Sequence, residues 1–203
     1  MSRNIPYDQQ LAHRLIKPFS GTALHPNHLT TLTLVLGIAS ACLFAFRMPN
    51  MAGLAALLYM LAVFSDHLDG ELARMDNKTS RFGHNYDYVV GGLNYTLLFV
   101  SVGYGLWSVT GHGYLLLLGL LAGFSNPFIL FLRMRMEILF GSKAVEHPGY
   151  GGFEIEDFIY LIGPITWLLG IKVFFIPYAI GTLGYLTWTI VEYVRHGRRL
   201  TND

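Results

Sequence analysis

The chain has 203 residues, 53% of them hydrophobic and only 13% charged, and a formal net charge of +1 that points to no class of partner. One cysteine, Cys42, excludes an internal disulfide and a cysteine-based zinc site. The apolar residues come in long runs, which excludes an ordinary soluble core and indicates an all-α, membrane-embedded bundle.

The first 28 residues are mixed and polar, so no cleavable signal peptide is expected. Residues 5–19 put Leu11, Leu15 and Ile16 on one side and His13, Arg14 and Lys17 elsewhere, the pattern of an N-terminal amphipathic helix in the headgroup layer. Pro26 cannot extend a preceding helix, and Asn27 suits the N-cap of a helix starting at His28. Six transmembrane segments then follow, at about 28–46, 51–76, 81–107, 113–138, 155–169 and 172–195. The fifth is short and broken by Gly163-Pro164. Connections at 47–50, 108–112 and 170–171 are so short that consecutive helices must be antiparallel neighbours. No internal repeat is visible, and residues 1–203 read as a single membrane domain. Gly119 and Gly123 form a G-x3-G that could pack helices or subunits. Tyr104, Trp107, Tyr114, Tyr178 and Tyr193 read as an interfacial belt. The basic tail at 196–200 suits anionic lipid headgroups rather than nucleic acid.

Lysine and arginine distribution sets an orientation. With a cytoplasmic N-terminus, every one of the fourteen except Arg47 and Lys172 falls on the cytoplasmic side. Both termini are then cytoplasmic, as expected for a bacterial inner membrane protein. Asp66 lies about 22 Å along the second segment at 1.5 Å per residue, several ångströms below the cytoplasmic edge of a hydrocarbon core about 30 Å thick. Carboxylates at that depth are costly and need a compensating partner.

They also share faces. Asp66 and Asp69 are three apart on one helix, flanked by Gly70 and Ala73, which leave that face nearly bare. Gly83 and Asp87, four apart, share a face of the next helix, which a tight turn brings antiparallel to the first. Three carboxylates over a floor of Gly and Ala suit a hard divalent cation, Mg²⁺ or in its place Mn²⁺, holding phosphate oxygens. The plainer alternative is a set of interfacial charges at a helix–loop–helix end.

The stretch D-x2-D-G-x2-A-R-x8-G-x3-D resembles the motif of the CDP-alcohol phosphotransferases. Asp66, Asp69, Gly70, Ala73, Arg74, Gly83 and Asp87 match it. The motif's last aspartate is here Gly91. The resemblance implies a CDP-linked donor lipid, an acceptor alcohol, release of CMP, Mg²⁺ held by Asp66, Asp69 and Asp87, and a homodimer. In the family the aspartate missing here helps hold a second metal and is the proposed general base. Pro26-Asn27-x-x-Thr30 also resembles the family's first-helix entrance, which would put Asn27 and Thr30 beside the nucleotide with Asp66, Gly70, Ala73, Arg74 and Gly83.

Other residues are candidates by position. Arg133 and Arg135, two apart near the cytoplasmic end of the fourth segment, must point differently. One would face the cavity, where it could bind an acceptor or lipid phosphate, and the other the headgroups; snorkelling of both is the alternative. Glu154 and Asp157 could share a face and replace the missing carboxylate, or simply favour the first turn of a helix. His84 is a further candidate base. Glu71, at a variable position of the motif, could read the polar substrate; His67 receives no role. The reading is a membrane transferase that moves a substituted phosphate from a CDP-linked donor, such as CDP-diacylglycerol, to an acceptor alcohol. The departure at Gly91 leaves three outcomes: a replacement base, an anionic acceptor that needs none, or a catalytically silent CDP-lipid-binding or scaffolding protein.

Overall fold

A computed structural model describes residues 7–141 and 155–200, and every regular element among them is helical. The order is α1 (Tyr7–Ile16), a 3-10 turn (Lys17–Phe19), α2 (Pro26–Phe46), α3 (Ala52–Met75), α4 (Arg81–Thr110), α5 (Gly113–Phe140), a 3-10 segment (Ile155–Leu161), α6 (Ile162–Leu169) and α7 (Ile171–Leu200). Helices α2, α3, α4, α5 and residues Ile171–Gly197 of α7 are long and apolar enough to cross a membrane, whereas the apolar stretch Phe158–Leu169 is shorter. The protein is an integral membrane protein.

The short stretch still carries the chain from one end of the bundle to the other. It runs antiparallel along α3: Tyr160 meets His67, Gly163 abuts Met60, and the Trp167 indole N–H donates to the Gly53 carbonyl at 3.0 Å. Gly163-Pro164 does not break this segment. The 3-10 turn ends at Leu161, and Pro164 stands in the first turn of α6, where a missing N–H costs no helical bond.

Helix α2 begins at Pro26, and its N-cap is His25, not Asn27: the His25 ring accepts from the Asn27 backbone N–H at 3.2 Å while the His28 ring receives the His25 N–H at 3.4 Å. Asn27 is therefore free of capping duty. In α1, Ala12 and Ile16 are buried against α3, while Leu11 and Leu15 point outward and are half exposed.

The core gathers around Tyr59, Phe44, Phe99 and Phe175. Tyr178 belongs with it rather than to an interfacial belt, stacking on Phe174 and Phe99 at 4.9 and 5.7 Å between centroids. Tyr104, Trp107 and Tyr114 are outward-facing. Small residues let the helices approach. The G-x3-G works within the chain, between α4 and α5: a Cβ on Gly119 would stand 2.5 Å from the Phe99 carbonyl oxygen and 3.0 Å from the Gly103 Cα. Buried polar side chains bond across helices to backbone carbonyls, Ser40 to Ala55 at 2.7 Å, Ser65 to Leu29 at 3.2 Å and Asn94 to Thr33 at 3.2 Å.

The connections at the aspartate end are fastened together. Asp76, the C-cap of α3, accepts from the Ser20 hydroxyl at 2.6 Å, the Gly21 N–H at 3.0 Å and the Lys78 ammonium at 2.8 Å. Lys78 also donates to the Leu24 carbonyl at 3.3 Å. The Lys78 and Ser20 bonds hold the Asp76 carboxyl down at about 2, below the ordinary value near 3.9.

Two outcomes follow from this packing. Gly119→Ala drives a methyl into immovable backbone and lowers stability by about 1–3 kcal/mol in a denaturant titration in detergent; an unchanged midpoint would contradict the α4–α5 approach. Because the Asp76 pKa is depressed on folding, its contribution is complete above the ordinary carboxylate range and disappears as pH falls from about 4 towards about 2. The melting-temperature gap between the native chain and Asp76→Asn should be full at pH 6 and closed near pH 2.

Candidate active site

Three helix ends build the site: the start of α2, the last turns of α3 and the start of α4. Ser80 caps α4, its hydroxyl accepting the Gly83 N–H at 3.0 Å, so that α4 starts just before Gly83 and turns Asp87 towards α3. Asp66, Asp69 and Asp87 come together, each offering a carboxylate oxygen within 4.8 Å of the others. Asp87 approaches Asp66 to hydrogen-bonding distance. Like charges held so closely repel unless a cation or a shared proton stands between them. The donor set is entirely hard oxygen, which fits a divalent cation of the Mg²⁺ or Mn²⁺ kind.

Thr30 brings α2 into this arrangement. Its hydroxyl donates to Asp69 Oδ2 at 2.6 Å, and both residues are buried, at 3% and 5% exposure. One oxygen of Asp69 is thereby fixed by α2, which orients the other. Asn27 stands beside Gly83: a Cβ there would meet the Asn27 Oδ1 at 3.2 Å and the Ser80 hydroxyl at 3.1 Å, so glycine allows α2 and α4 to close up. Gly70 differs. A Cβ there would meet only the tip of the Arg74 guanidinium, at 3.6 Å, so the protein's own packing does not require the glycine. At Gly91 a Cβ would meet nothing within 4 Å. Position 91 therefore opens on free space, one turn along α4 from Asp87 and on the same face.

The remaining candidates are distributed around this centre. Arg74 pairs with Glu71 at 2.6 Å, and the second oxygen of Glu71 meets the His13 ring at 3.2 Å. Glu71 thus ties α1 to α3 and is engaged by protein rather than held open for substrate. Ala73 sits in the last turns of α3, where its carbonyl accepts the Lys78 N–H at 3.0 Å. His84 is exposed at the start of α4, its ring edge-on to Tyr88 at 4.8 Å and within electrostatic reach of Asp87. Arg133 and Arg135 do diverge. Arg133 turns inward and donates to the Tyr185 hydroxyl at 2.7 Å, with its guanidinium also 5.7 Å from that ring, whereas Arg135 is exposed. Glu154 lies outside the described residues, as does the side chain of Asp157, so the replacement-carboxylate idea finds no geometry here.

Two features were missed by sequence reasoning. His67 does not point idly away: its ring bonds the Tyr160 hydroxyl at 3.0 Å, stacks on that ring, and lies within electrostatic reach of Asp87. The Ser20–Asp76–Lys78 tie fixes the start of α2 against the α3–α4 turn. Neither carries a local signal, since each joins residues more than fifty positions apart.

Three carboxylates converging from adjacent helix ends of a helical membrane bundle form a group that could hold a metal ion. The CDP-alcohol phosphatidyltransferase family profile matches residues 23–191, and the chain belongs to that family. An archaetidylinositol phosphate synthase from Pyrococcus horikoshii is 28% identical over 187 residues, 85% of this chain and 93% of that protein. An uncharacterized protein from Aquifex aeolicus is 34% identical over 169 residues, covering 82% and 80% of the two chains. A bifunctional IPC transferase and DIPP synthase from Aquifex aeolicus is 30% identical over 172 residues. That alignment takes in 84% of this chain, which spans only about a third (34%) of the bifunctional protein.

Removing the Thr30 hydroxyl tests how the cluster is held. Thr30→Val should weaken Mn²⁺ binding about 10–100-fold in an electron paramagnetic resonance titration, and Asp69→Asn should abolish it. Unchanged binding in Asp69→Asn would remove Asp69 from the metal site.

Proposed function

We propose that this protein is a membrane transferase that moves a substituted phosphate from a CDP-linked donor lipid, of the CDP-diacylglycerol kind, to an acceptor alcohol with release of CMP. The observation that carries the reading is the convergence of Asp66, Asp69 and Asp87 within 4.8 Å, on helices that the family profile also covers. The three would hold Mg²⁺ or Mn²⁺, which when bound neutralises pyrophosphate charge and stabilises the charge that develops as the phosphoanhydride breaks.

The chain's own residues bind and orient. Asn27, freed from capping, faces the nucleotide together with Thr30 and the positive start of α2. Gly70 and Ala73 provide the floor and Arg74 a cation beside it. Gly83 lets α2 and α4 approach. The acceptor is best read as a polyol phosphate, as the name of the Pyrococcus horikoshii relative suggests. The absence of a carboxylate at Gly91 supports this, because it removes a negative charge beside Asp87 and leaves space for an anionic acceptor. Arg133 or Arg135 would bind that phosphate. His84, exposed near Asp87, is the candidate among the described side chains for taking the acceptor's proton; Glu154 and Asp157 remain candidates from the segment before α6.

The topology that fits has six crossings, α6 with its preceding 3-10 segment completing the fifth, and both termini cytoplasmic. The outward Leu11 and Leu15 support a membrane-interfacial α1. One membrane domain, paired as a homodimer, accords with the family.

The test is CMP release from CDP-diacylglycerol by purified protein with Mg²⁺ and a panel of acceptors, inositol phosphate included, and Asp66→Asn as control. Acceptor-dependent release that the control lacks is expected. No release with any CDP-linked donor, alongside tight Mg²⁺-dependent CMP binding, would favour the silent nucleotide-binding alternative that Gly91 raises. Gly70→Ala separates fold from site: a helical Gly→Ala change is worth up to about 1 kcal/mol of added stability, while CMP affinity should fall at least tenfold (about 1.4 kcal/mol). Retained affinity would show that Gly70 does not face the nucleotide.

A further inference from the structure

At the opposite end of the bundle from the aspartates lies a cavity of about 460 Å³, bounded by the α2–α3 connection, the ends of α4 and α6 and the starts of α3 and α7. Asp66 and Gly53 are thirteen residues apart on α3, which separates the two places by about 20 Å. The walls are mostly apolar, with Met48, Leu106 and Trp167 prominent among them. Two polar groups break that pattern. Thr166, 8% exposed, is among the lining residues, although its hydroxyl is itself closed off from the cavity. Lys172 stands exposed in the first turn of α7, makes no ion pair among the described residues, and adds its charge to the positive end of that helix.

The cavity is also a built feature. Trp167 is held across it by its bond to the Gly53 carbonyl. A Cβ on Gly53 would stand 3.1 Å from the indole, so the glycine is what admits the ring. A lysine over an apolar recess at a membrane boundary meets no anion among the described residues. An amphiphile satisfies both features, its apolar chain against the walls and its anionic headgroup at the ammonium.

We propose that this cavity binds an anionic phospholipid of the leaflet facing away from the aspartate site, with its phosphate at Lys172 and an acyl chain against Met48, Leu106 and Trp167. The site is separate from the transfer reaction and does not depend on that assignment.

The test uses the full chain in phosphatidylcholine vesicles with Trp107→Phe and Trp188→Phe, which leave Trp167 as the only one of three tryptophans. Brominated phosphatidylglycerol should quench Trp167 at a mole fraction about fivefold lower than brominated phosphatidylcholine does, the preference expected of one lysine near lipid phosphate. Lys172→Gln should remove that preference. Val109→Phe, which fills the cavity mouth but keeps Lys172, should remove it as well; Val109 is 54% exposed, so the variant is compatible with folding. Selectivity that survives Val109→Phe would reduce Lys172 to a charge acting on surrounding bilayer lipid and overturn the proposal. Equal quenching by both lipids in the native background would overturn it directly. Relief of quenching by free glycerol phosphate would assign the site to a small anion instead. No quenching by either lipid would mean that protein, such as a second copy of this chain, covers the cavity.

Discussion

The structure depends on holding three carboxylates within 4.8 Å of one another in a membrane-embedded bundle. Each unpaired charge in hydrocarbon costs from about 3 kcal/mol upward at the centre and less towards the boundary, and mutual repulsion adds to that. Residues on a single helix could not bring the three together in this way. Two come from α3 and one from α4, and α2 reaches in through Thr30 to fix the most buried of them. The bundle therefore has to keep three helix ends in register. Lipid tails are as apolar as leucine side chains, so helices in a membrane gain little from hydrophobic association and rely on close packing and polar bonds. That accounts for Ser40, Ser65 and Asn94, which bond from one helix to the backbone of another, and for the glycine contact between α4 and α5. The tie of Asp76 to Ser20 and Lys78 serves the same end outside the membrane, fastening the connection that launches α2 to the turn that launches α4.

Much of this was legible in the residues because helical periodicity carries the information. Asp66 and Asp69 at i and i+3, and Gly83 and Asp87 at i and i+4, declare shared faces without any tertiary knowledge, and apolar run lengths bound the helices to within a few residues. What the residues do not announce is mostly a partner distant in sequence. The cap of α2 is the local exception: residue type favours Asn27, but the cap is His25, stabilised by a reciprocal bond with His28 that only the folded turn displays. Pro26 at the first helical position was the available clue. Glu71 looked free because nothing local announces His13 of α1 as its neighbour. Tyr178 had the position of a belt residue, yet the ring stacks into the core on Phe99 and Phe174. The angular position of His67 on α3 gives no hint that Tyr160, ninety-three residues away, is its partner. The register of the short α6 stretch against α3 was equally invisible, being made by Gly163 on Met60 and Trp167 on Gly53.

The glycines separate structural from ligand-facing demands. In a helix interior each costs up to about 1 kcal/mol relative to alanine, so each needs a reason. At Gly37, Gly83 and Gly119 the reason is protein, since an added methyl would strike Asn94, Asn27 or the backbone of α4. At Gly181 and Gly184 nothing within 4 Å would meet an added methyl, and they stand on α7, the least buried of the spanning helices. Gly70 and Gly91 fit neither case. Gly70 lies next to Asp69 under the movable end of Arg74, and Gly91 lies one turn from Asp87 on the carboxylate face. Space beside the charge cluster that no side chain occupies is what a substrate requires. Glycine at position 91 therefore does two things at once: it adds no charge beside Asp87, and it leaves the space on that face of α4 open.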